Sequence, residues 1–238
     1  MHRILLTIGP FEIPSYGVMQ LIAWLVGIYL ATKEAKRNGV DPNKVTDLCV
    51  YLLISAIIGS RIWYVVEHWR EFSHNILGIF KIWEGGAVFY GGFILAFIVG
   101  MWFIKLQKLD FNRIGDIMAS SLAIGVGIGR IGCFLDGCCY GKISYRFGIP
   151  FPAANFPPPF EQQLRDGLIS ANSTHSLPVI PTQLYSSVDG FAIFFLLLWL
   201  KRYKTFDGFL FWTFVLLYSI HRLVIDFFRY YEGNALIF

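Results

Sequence analysis

Long runs of apolar residues alternate with short polar stretches along most of this 238-residue chain. A helix needs about 20 predominantly apolar residues to cross the hydrocarbon core of a bilayer, and the longest runs approach or reach that length. Charged or turn-forming residues bound each run. The pattern predicts six transmembrane helices, at residues 15–32, 45–66, 89–106, 114–134, 183–200 and 208–228.

Two segments outside the predicted spans carry patterns of their own. Residues 67–88 mix aromatic and charged side chains, which is typical either of an outer-face loop or of an amphipathic segment lying in the membrane interface. Residues 136–182 are expected to form an irregular outer-face loop, because the run at 149–160 contains too many prolines for a regular helix. The chain 1–238 is interpreted as a single transmembrane domain.

Composition agrees with a membrane protein and excludes other classes. Charged residues make up 15% of the chain, against about 25% in an ordinary soluble domain. The mean hydropathy is +0.55. The formal charge of +4 is spread along the chain, without the basic block of a nucleic-acid-binding protein. The predicted fold class is an all-α polytopic membrane protein, and no nucleic acid is expected as a partner.

Lysine and arginine predict the orientation of the spans. They concentrate in the links after the first, third and fifth spans, and short cytoplasmic loops carry such an excess of positive charge. The longer segment 136–182 contains only Lys142, Arg146 and Arg165. The N-terminus and segment 136–182 are therefore expected outside. The basic residues of the three links are Lys33, Lys36, Arg37, Lys44, Lys105, Lys108, Arg113, Lys201, Arg202 and Lys204.

Ionisable residues within the spans are the main functional signal, because a charge at membrane depth is costly unless it is paired or hydrated. In the sixth span and just after it, a tyrosine, two arginines and an aspartate fall near one helical face. Arg222 and Asp226 can pair one turn apart. The pattern fits either a structural ion pair or a functional site. The four residues are Tyr218, Arg222, Asp226 and Arg229.

Two further arginines lie close to the expected outer ends of other spans. Arg130 stands in the glycine-rich run GVGIGRIG, where glycines permit close approach of a helix or a headgroup, and Arg61 ends the second span. Each could simply anchor its helix. A guanidinium also binds phosphate through two parallel hydrogen bonds. Together the arginines predict a site for a phospholipid headgroup.

Four cysteines are present, of which Cys49 in the second span is expected to pack in the core. Cys133, Cys138 and Cys139 follow Arg130 closely, and three interpretations of them stay open. They could pack, with a disulfide from Cys133 to either neighbour, because adjacent cysteines strain a mutual bond. They could bind a metal ion, although the spacing is unusual for zinc. They could provide a reactive or substrate-contacting thiol whose pKa Arg130 lowers.

Six segments, taken in order along most of the chain, resemble the prolipoprotein diacylglyceryl transferase family. They are SYG at 15–17, GSRIWY at 59–64, WEGGAVFYGG at 83–92, GRIGCFLDGCCYG at 129–141, PTQLY at 181–185 and LLYSIHRLVIDFFR at 216–229. The resemblance implies transfer of a diacylglyceryl group from phosphatidylglycerol to the lipobox cysteine of a preprolipoprotein, with release of glycerol phosphate. It also implies a bacterial cytoplasmic (inner) membrane and an active site toward the outer face. No cofactor is expected, and no metal is assigned to the reaction.

The resemblance also implies roles for residues. Arg130 matches the arginine of the family's G-R-x-G-N-F signature, and Arg222 matches its other important arginine. Tyr90 stands where the family usually has a histidine, a candidate base. The expected catalytic residues are Arg130, Arg222 and Tyr90. The expected substrate-binding residues are Tyr16, Arg61, Gly91, Gly92, Cys133, Cys138, Tyr185, Tyr218, Asp226 and Arg229.

The departures from the family pattern keep other functions open. Cys133 replaces a family asparagine and Cys138 a family glutamate, in addition to the change at Tyr90. A related phosphatidylglycerol-dependent transferase with a different acceptor is one alternative. A membrane thiol-redox or metal-handling protein using Cys133, Cys138 and Cys139 is another, and a lipid-binding protein without enzymatic activity is a third.

Overall fold

The computed structural model describes residues 3–8, 11–73, 76–80 and 85–231. Six of its helices are long and apolar enough to cross a membrane, and each coincides with a predicted span. The predicted all-α polytopic class is therefore confirmed. In chain order the helices are α1 (Ser15–Arg37), α2 (Pro42–Glu67), the short α3 (Trp69–Phe72), α4 (Phe89–Leu106), α5 (Phe111–Asp136), the short α6 (Pro158–Arg165), α7 (Thr182–Leu200) and α8 (Phe209–Phe228).

A small β-hairpin, which the sequence pattern did not predict, precedes the first helix. Strands β1 (Ile4–Ile8) and β2 (Phe11–Pro14) pair antiparallel. Two short 3₁₀ helices, at Ile76–Phe80 and Lys201–Tyr203, complete the regular structure of the described residues.

The chain divides into two compact units. The first unit comprises Met1–Leu30 and Met118–Phe238, and the second unit comprises Ala31–Ile117. In the first unit, α7 and α8 pack side chains against small residues of α5. This core consists of Ala119, Ala123, Ile193, Phe194, Leu197, Leu210 and Phe214.

The second unit is built on close packing of α2 against α4. A Cβ atom added at Gly59 would lie within 3 Å of Gly91, and one added at Gly92 would lie 2.8 Å from the carbonyl oxygen of Ala56. Only glycine leaves room for such an approach between transmembrane helices. Gly91 and Gly92, predicted to bind substrate, are therefore buried at a helix–helix contact.

Substituting Gly91 by alanine is expected to destabilise the protein by about 1–3 kcal/mol, because the new methyl group meets backbone that cannot yield. Thermal unfolding in detergent should show a lower Tm. Gly125→Ala in α5 is the matched control, since a Cβ there meets nothing within 4 Å. An unchanged Tm for Gly91→Ala would contradict the close packing.

The segment 136–182 is more ordered than the sequence predicted. The expectation that residues 149–160 exclude regular helix is wrong at their end, because α6 begins at Pro158. Proline is tolerated in the first turn of a helix, where its missing N–H has no intrahelical partner to lose. Phe151 and Phe160 are almost completely buried and anchor the segment in the first unit.

The segment 67–88 contains α3 and the 3₁₀ helix Ile76–Phe80. Trp69 and Phe80 are exposed, as an interfacial segment requires, and the interfacial placement stays a prediction. Lys81 and Trp83, which are part of the predicted amphipathic pattern, lie outside the described residues.

Candidate functional site

Glycines in α5 bring Arg130 close to the first helix. A Cβ atom at Gly129 would lie 2.8 Å from Oε1 of Gln20, and one at Gly132 would lie 2.9 Å from Cβ of Met19. The two helices therefore approach closely around Arg130, which is half-buried. The glycine-rich run serves helix packing here.

The surroundings of Arg130 contain several of the predicted site residues. Its charge interacts with the side chain of Tyr218 on α8 and with Cys133 and Cys139. Tyr16, at the start of α1, is near the same cysteines and accepts a hydrogen bond from the side chain of Gln20 at 2.8 Å. Residues that the sequence placed in three separate spans thus come together in the first unit.

The three cysteines after Arg130 form one cluster. The Sγ atoms of Cys133, Cys138 and Cys139 all lie within 4.8 Å of one another. The chain reverses just after α5, with φ of +87° at Gly137 and +60° at Cys139. All four cysteines are free thiols, so the disulfide that was one of the three interpretations is not formed in this structure.

Two polar residues at the start of α7 hold the cysteine turn in place. The side chain of Gln183 donates a hydrogen bond to the carbonyl of Cys138, and the hydroxyl of Thr182 donates to that of Cys139, both at 2.7 Å. Both residues are buried. Sequence reasoning did not assign them a role, although the PTQ run at the start of a span was the available signal.

The end of α8 carries a network of charged and phenolic groups. Arg222 and Asp226 pair at 3.2 Å, which confirms the predicted ion pair. The hydroxyl of Tyr231 donates to Oδ1 of Asp226 at 2.6 Å and accepts from Nη2 of Arg222 at 3.3 Å. Burial, and then the hydrogen bond to Asp226, raise the pKa of Tyr231, so its hydroxyl stays protonated at neutral pH.

Arg229 connects this network to the cysteines. Its Nη2 donates to Sγ of Cys139 at 3.1 Å, and its guanidinium lies 5.4 Å from the ring centroid of Tyr231. Hydrogen bonds from the thiols of Cys133 and Cys138, followed by the charges of Arg229 and Arg130, lower the pKa of Cys139. Hydrogen bonds with Cys133 and Cys139 raise the pKa of Cys138. The cluster therefore favours ionisation of Cys139 over ionisation of Cys138.

The alkylation rate of Cys139 by iodoacetamide is expected to stay nearly constant between pH 6 and 8. An ordinary thiol, with a pKa near 8.5, reacts about tenfold faster for each pH unit over this range. Rates can be measured by mass spectrometry of the labelled peptide. Arg229→Gln should restore part of the pH dependence, because losing the positive charge raises the pKa of Cys139. A tenfold rise per unit in the unmodified chain would contradict this assignment.

A second polar contact joins α7 and α8. Nε2 of His221 lies 3.2 Å from the hydroxyl of Ser186, and Nδ1 of His221 lies 3.2 Å from Oδ2 of Asp189. Sequence reasoning overlooked Asp189, although a carboxylate within a predicted span was a usable signal. The contact holds α8, with its Arg222, against α7.

Arg61 lies in the second unit and is only 8% exposed. Its guanidinium donates to the backbone carbonyls of Gly78 at 2.7 Å, Ile79 at 2.9 Å, Gly85 at 2.5 Å and Gly86 at 3.2 Å. These hydrogen bonds organise the chain between α3 and α4. A headgroup contact for Arg61 stays a prediction.

The remaining predicted residues are exposed. Tyr90, at the start of α4 in the second unit, is 66% exposed, and its ring packs edge-on against Phe89. Tyr185 on α7 is also exposed. Their predicted roles in catalysis and substrate binding rest on the resemblance.

A cavity of ≈ 330 Å³ lies beside the cysteine cluster in the first unit. Cys139 and Arg229 line it, together with Glu161 and Arg165 of α6 and the tyrosines Tyr230 and Tyr231. The cavity thus combines a thiol, two guanidinium groups and aromatic walls.

The fold and this site define a multi-pass membrane protein with arginines gathered at the ends of two transmembrane helices. The chain matches the family model described as prolipoprotein diacylglyceryl transferase over residues 3–237. It therefore belongs to the prolipoprotein diacylglyceryl transferase family.

Relatives from several bacteria bear the same family name. A phosphatidylglycerol–prolipoprotein diacylglyceryl transferase of Geobacillus kaustophilus is 34% identical over 227 residues, which cover 95% of this chain and 80% of the relative. The protein of that name from Geobacter sulfurreducens is 29% identical, over 93% of this chain and 80% of the relative. The protein of that name from Stenotrophomonas maltophilia is 31% identical, over 98% of this chain and 82% of the relative.

Proposed function

We propose that this chain transfers a diacylglyceryl group from phosphatidylglycerol to a cysteine thiol of a preprolipoprotein, releasing glycerol phosphate. Family membership and the names of the relatives support this reaction. The observation that carries it is the chain of contacts linking three arginines. Arg222 reaches Tyr231, Arg229 contacts both Tyr231 and Cys139, and the charge of Arg130 interacts with Cys139.

This arrangement suits an anionic leaving group. In the proposed reaction the acceptor thiolate attacks the glycerol carbon that carries the phosphate. A C–S bond forms, the C–O bond breaks, and the electron pair leaves with the phosphate oxygen. Arg130 and Arg222 stabilise the charge that develops on that oxygen, because positive groups that the fold holds in place do so at little reorganisation cost. The thiol proton is released to solvent.

The other predicted residues are assigned supporting roles. Tyr218, Asp226 and Arg229 orient the two catalytic arginines or the headgroup, and Tyr16 and Tyr185 contact substrate. Tyr90 keeps the catalytic role that the family resemblance implies, and Tyr90→Phe tests it. Arg61 is a positioning residue, because it holds the segment that precedes α4.

The proposed location is the bacterial cytoplasmic membrane, with the active site toward the outer face and the N-terminus outside. The basic links between α1 and α2, between α4 and α5 and between α7 and α8 support this orientation. An epitope tag at Gly167, an exposed position with positive φ, should be reached by antibody on spheroplasts. A tag after the exposed Phe206 should be reached only after permeabilisation. The opposite result would reverse the orientation.

The reaction is tested on the purified chain in detergent with phosphatidylglycerol and a peptide that contains a lipobox cysteine. Glycerol phosphate and lipidated peptide should form in equal amounts. Release of glycerol phosphate without lipidated peptide would indicate a different acceptor. Absence of both products, beside an active relative as positive control, would contradict the proposal.

A further inference from the structure

We propose that Cys133, Cys138 and Cys139 bind one zinc ion as thiolates, and that the acceptor cysteine occupies the fourth coordination position. The first half of this inference, the metal site, is independent of the transfer reaction. The second half, the role of the metal, rests on the proposed function.

The spacing of the sulfur atoms is close to that of a zinc site. Zinc–sulfur bonds of about 2.3 Å in tetrahedral geometry place sulfur atoms about 3.8 Å apart. The three Sγ atoms here lie within 4.8 Å of one another. Side-chain rotations that move these atoms by about 1 Å would therefore bring them to the spacing of a zinc site. Within the described residues, no histidine or carboxylate joins the three thiols as a fourth ligand. Three protein ligands and one open position are typical of catalytic rather than structural zinc.

The backbone holds the thiols together without any ligand. Cys139 has a φ of +60°, which costs energy for a residue with a side chain, and Gly137 supplies the preceding reversal. Hydrogen bonds from the buried Gln183 and Thr182 to the carbonyls of Cys138 and Cys139 maintain this conformation. A strained turn that buried side chains hold in place is expected of a preformed binding site.

The local charge also suits a zinc trithiolate. Three thiolates and Zn²⁺ carry one net negative charge. Arg229 donates a hydrogen bond to Sγ of Cys139 at 3.1 Å, and the charge of Arg130 interacts with Cys133 and Cys139. Donors to ligand sulfur atoms commonly orient and stabilise metal-bound thiolates.

A cavity leads to one of the three thiols. Cys139 lines the ≈ 330 Å³ cavity, and its lining also includes Arg165 of α6 together with Tyr230 and Tyr231. A cysteine side chain of an acceptor peptide entering this cavity would come within reach of the cluster.

The metal would supply the chemistry that a base otherwise supplies. A thiol that binds Zn²⁺ loses its proton to water. The resulting thiolate then forms the C–S bond as the C–O bond to phosphate breaks, and the thioether product, a weaker ligand, dissociates. No redox change occurs. This chain has Tyr90 where the family usually has a histidine as candidate base. A free thiol is only a few per cent ionised at pH 7, so bound zinc would increase the fraction of acceptor thiolate.

Metal binding is tested on the reduced full-length chain in detergent, stripped with chelator and titrated with Zn²⁺ or Co²⁺. Wild type and Cys49→Ser, a control cysteine in the second unit, should each bind about one ion. Cys133→Ser and Cys139→Ser should each bind at most about a tenth as much metal ion as wild type. The thiolate-to-cobalt absorption of the Co²⁺ form should change when a lipobox cysteine peptide is added, and not with its serine analogue.

The role of the metal is tested on wild type, which avoids misfolded variants. Removing the metal with chelator should lower the rate of lipidated-peptide formation by about tenfold, and adding Zn²⁺ should restore that rate. A chain that binds no zinc, or binds it without a cobalt response to the cysteine peptide, overturns the inference. Full activity of the stripped enzyme also overturns it and leaves the proposed function intact. Zinc binding and the cobalt response without any transfer would instead contradict the proposed function.

Discussion

Replacing Arg130 by alanine is expected to lower the rate of glycerol phosphate release by about 10²- to 10³-fold, the range seen when one donor to a developing anion is removed. Arg130 lies near the end of α5, where its charge interacts with Tyr218 and the cysteines and where glycines let α1 pack closely. The effect should fall mainly on kcat, because the interaction strengthens as the phosphate leaves.

The matched control for this change is Arg146→Ala. Arg146 lies in the same unit, is exposed, and contacts the ring of Phe147 at 5.2 Å. Its loss should leave the rate within about twofold, since an exposed arginine contributes little. Equal losses in the two variants would show that net positive charge, rather than the position of Arg130, governs the reaction.

Arg222→Ala is expected to reduce the rate by about 10²-fold, and Arg222→Lys should recover only part of it. A lysine preserves the charge but not the planar pair of donors that can hold a phosphate and Asp226 together. Alanine also removes the ion pair of Asp226, which keeps the hydrogen bond that it accepts from Tyr231. Steady-state rates with phosphatidylglycerol and the lipobox peptide measure the effect.

Stability and catalysis are separated by measuring Tm alongside the rate. Arg202→Ala, an exposed arginine between α7 and α8, should change neither quantity appreciably. If Arg222→Ala lowers Tm strongly while the surviving folded protein keeps its kcat, Arg222 is a structural partner of Asp226 and not a catalytic group.

Some features followed from local sequence alone. The six spans were predictable because a helix must satisfy its own backbone hydrogen bonds in lipid and must match the bilayer in length. The Arg222–Asp226 pair was predictable because residues four apart lie on the same face of any helix. The start of α6 at Pro158 was mispredicted, because proline was counted as a helix breaker without regard to its position in the first turn.

The candidate site was only partly predictable. Arg130, Tyr218 and the cysteines stood out as candidates, but their partners did not. Arg229 bonds Cys139 across 90 positions of sequence, and Gln183 holds Cys138 across 45. The expected headgroup contact of Arg61 stays a prediction, and its hydrogen bonds to backbone carbonyls of Gly78 and Gly85 could not be foreseen from spacing.

The sequence by itself determined the membrane class, the number of spans and the family, because hydrophobic length and short ordered motifs are local properties of the chain. Only the tertiary structure decided which side chains meet: three thiols and Arg229 around one turn, Tyr231 between Arg222 and Asp226, and His221 between Ser186 and Asp189. The physical reason is that these contacts depend on how helices pack across glycines and on where a loop reverses. Neither is encoded by spacing along a single helix.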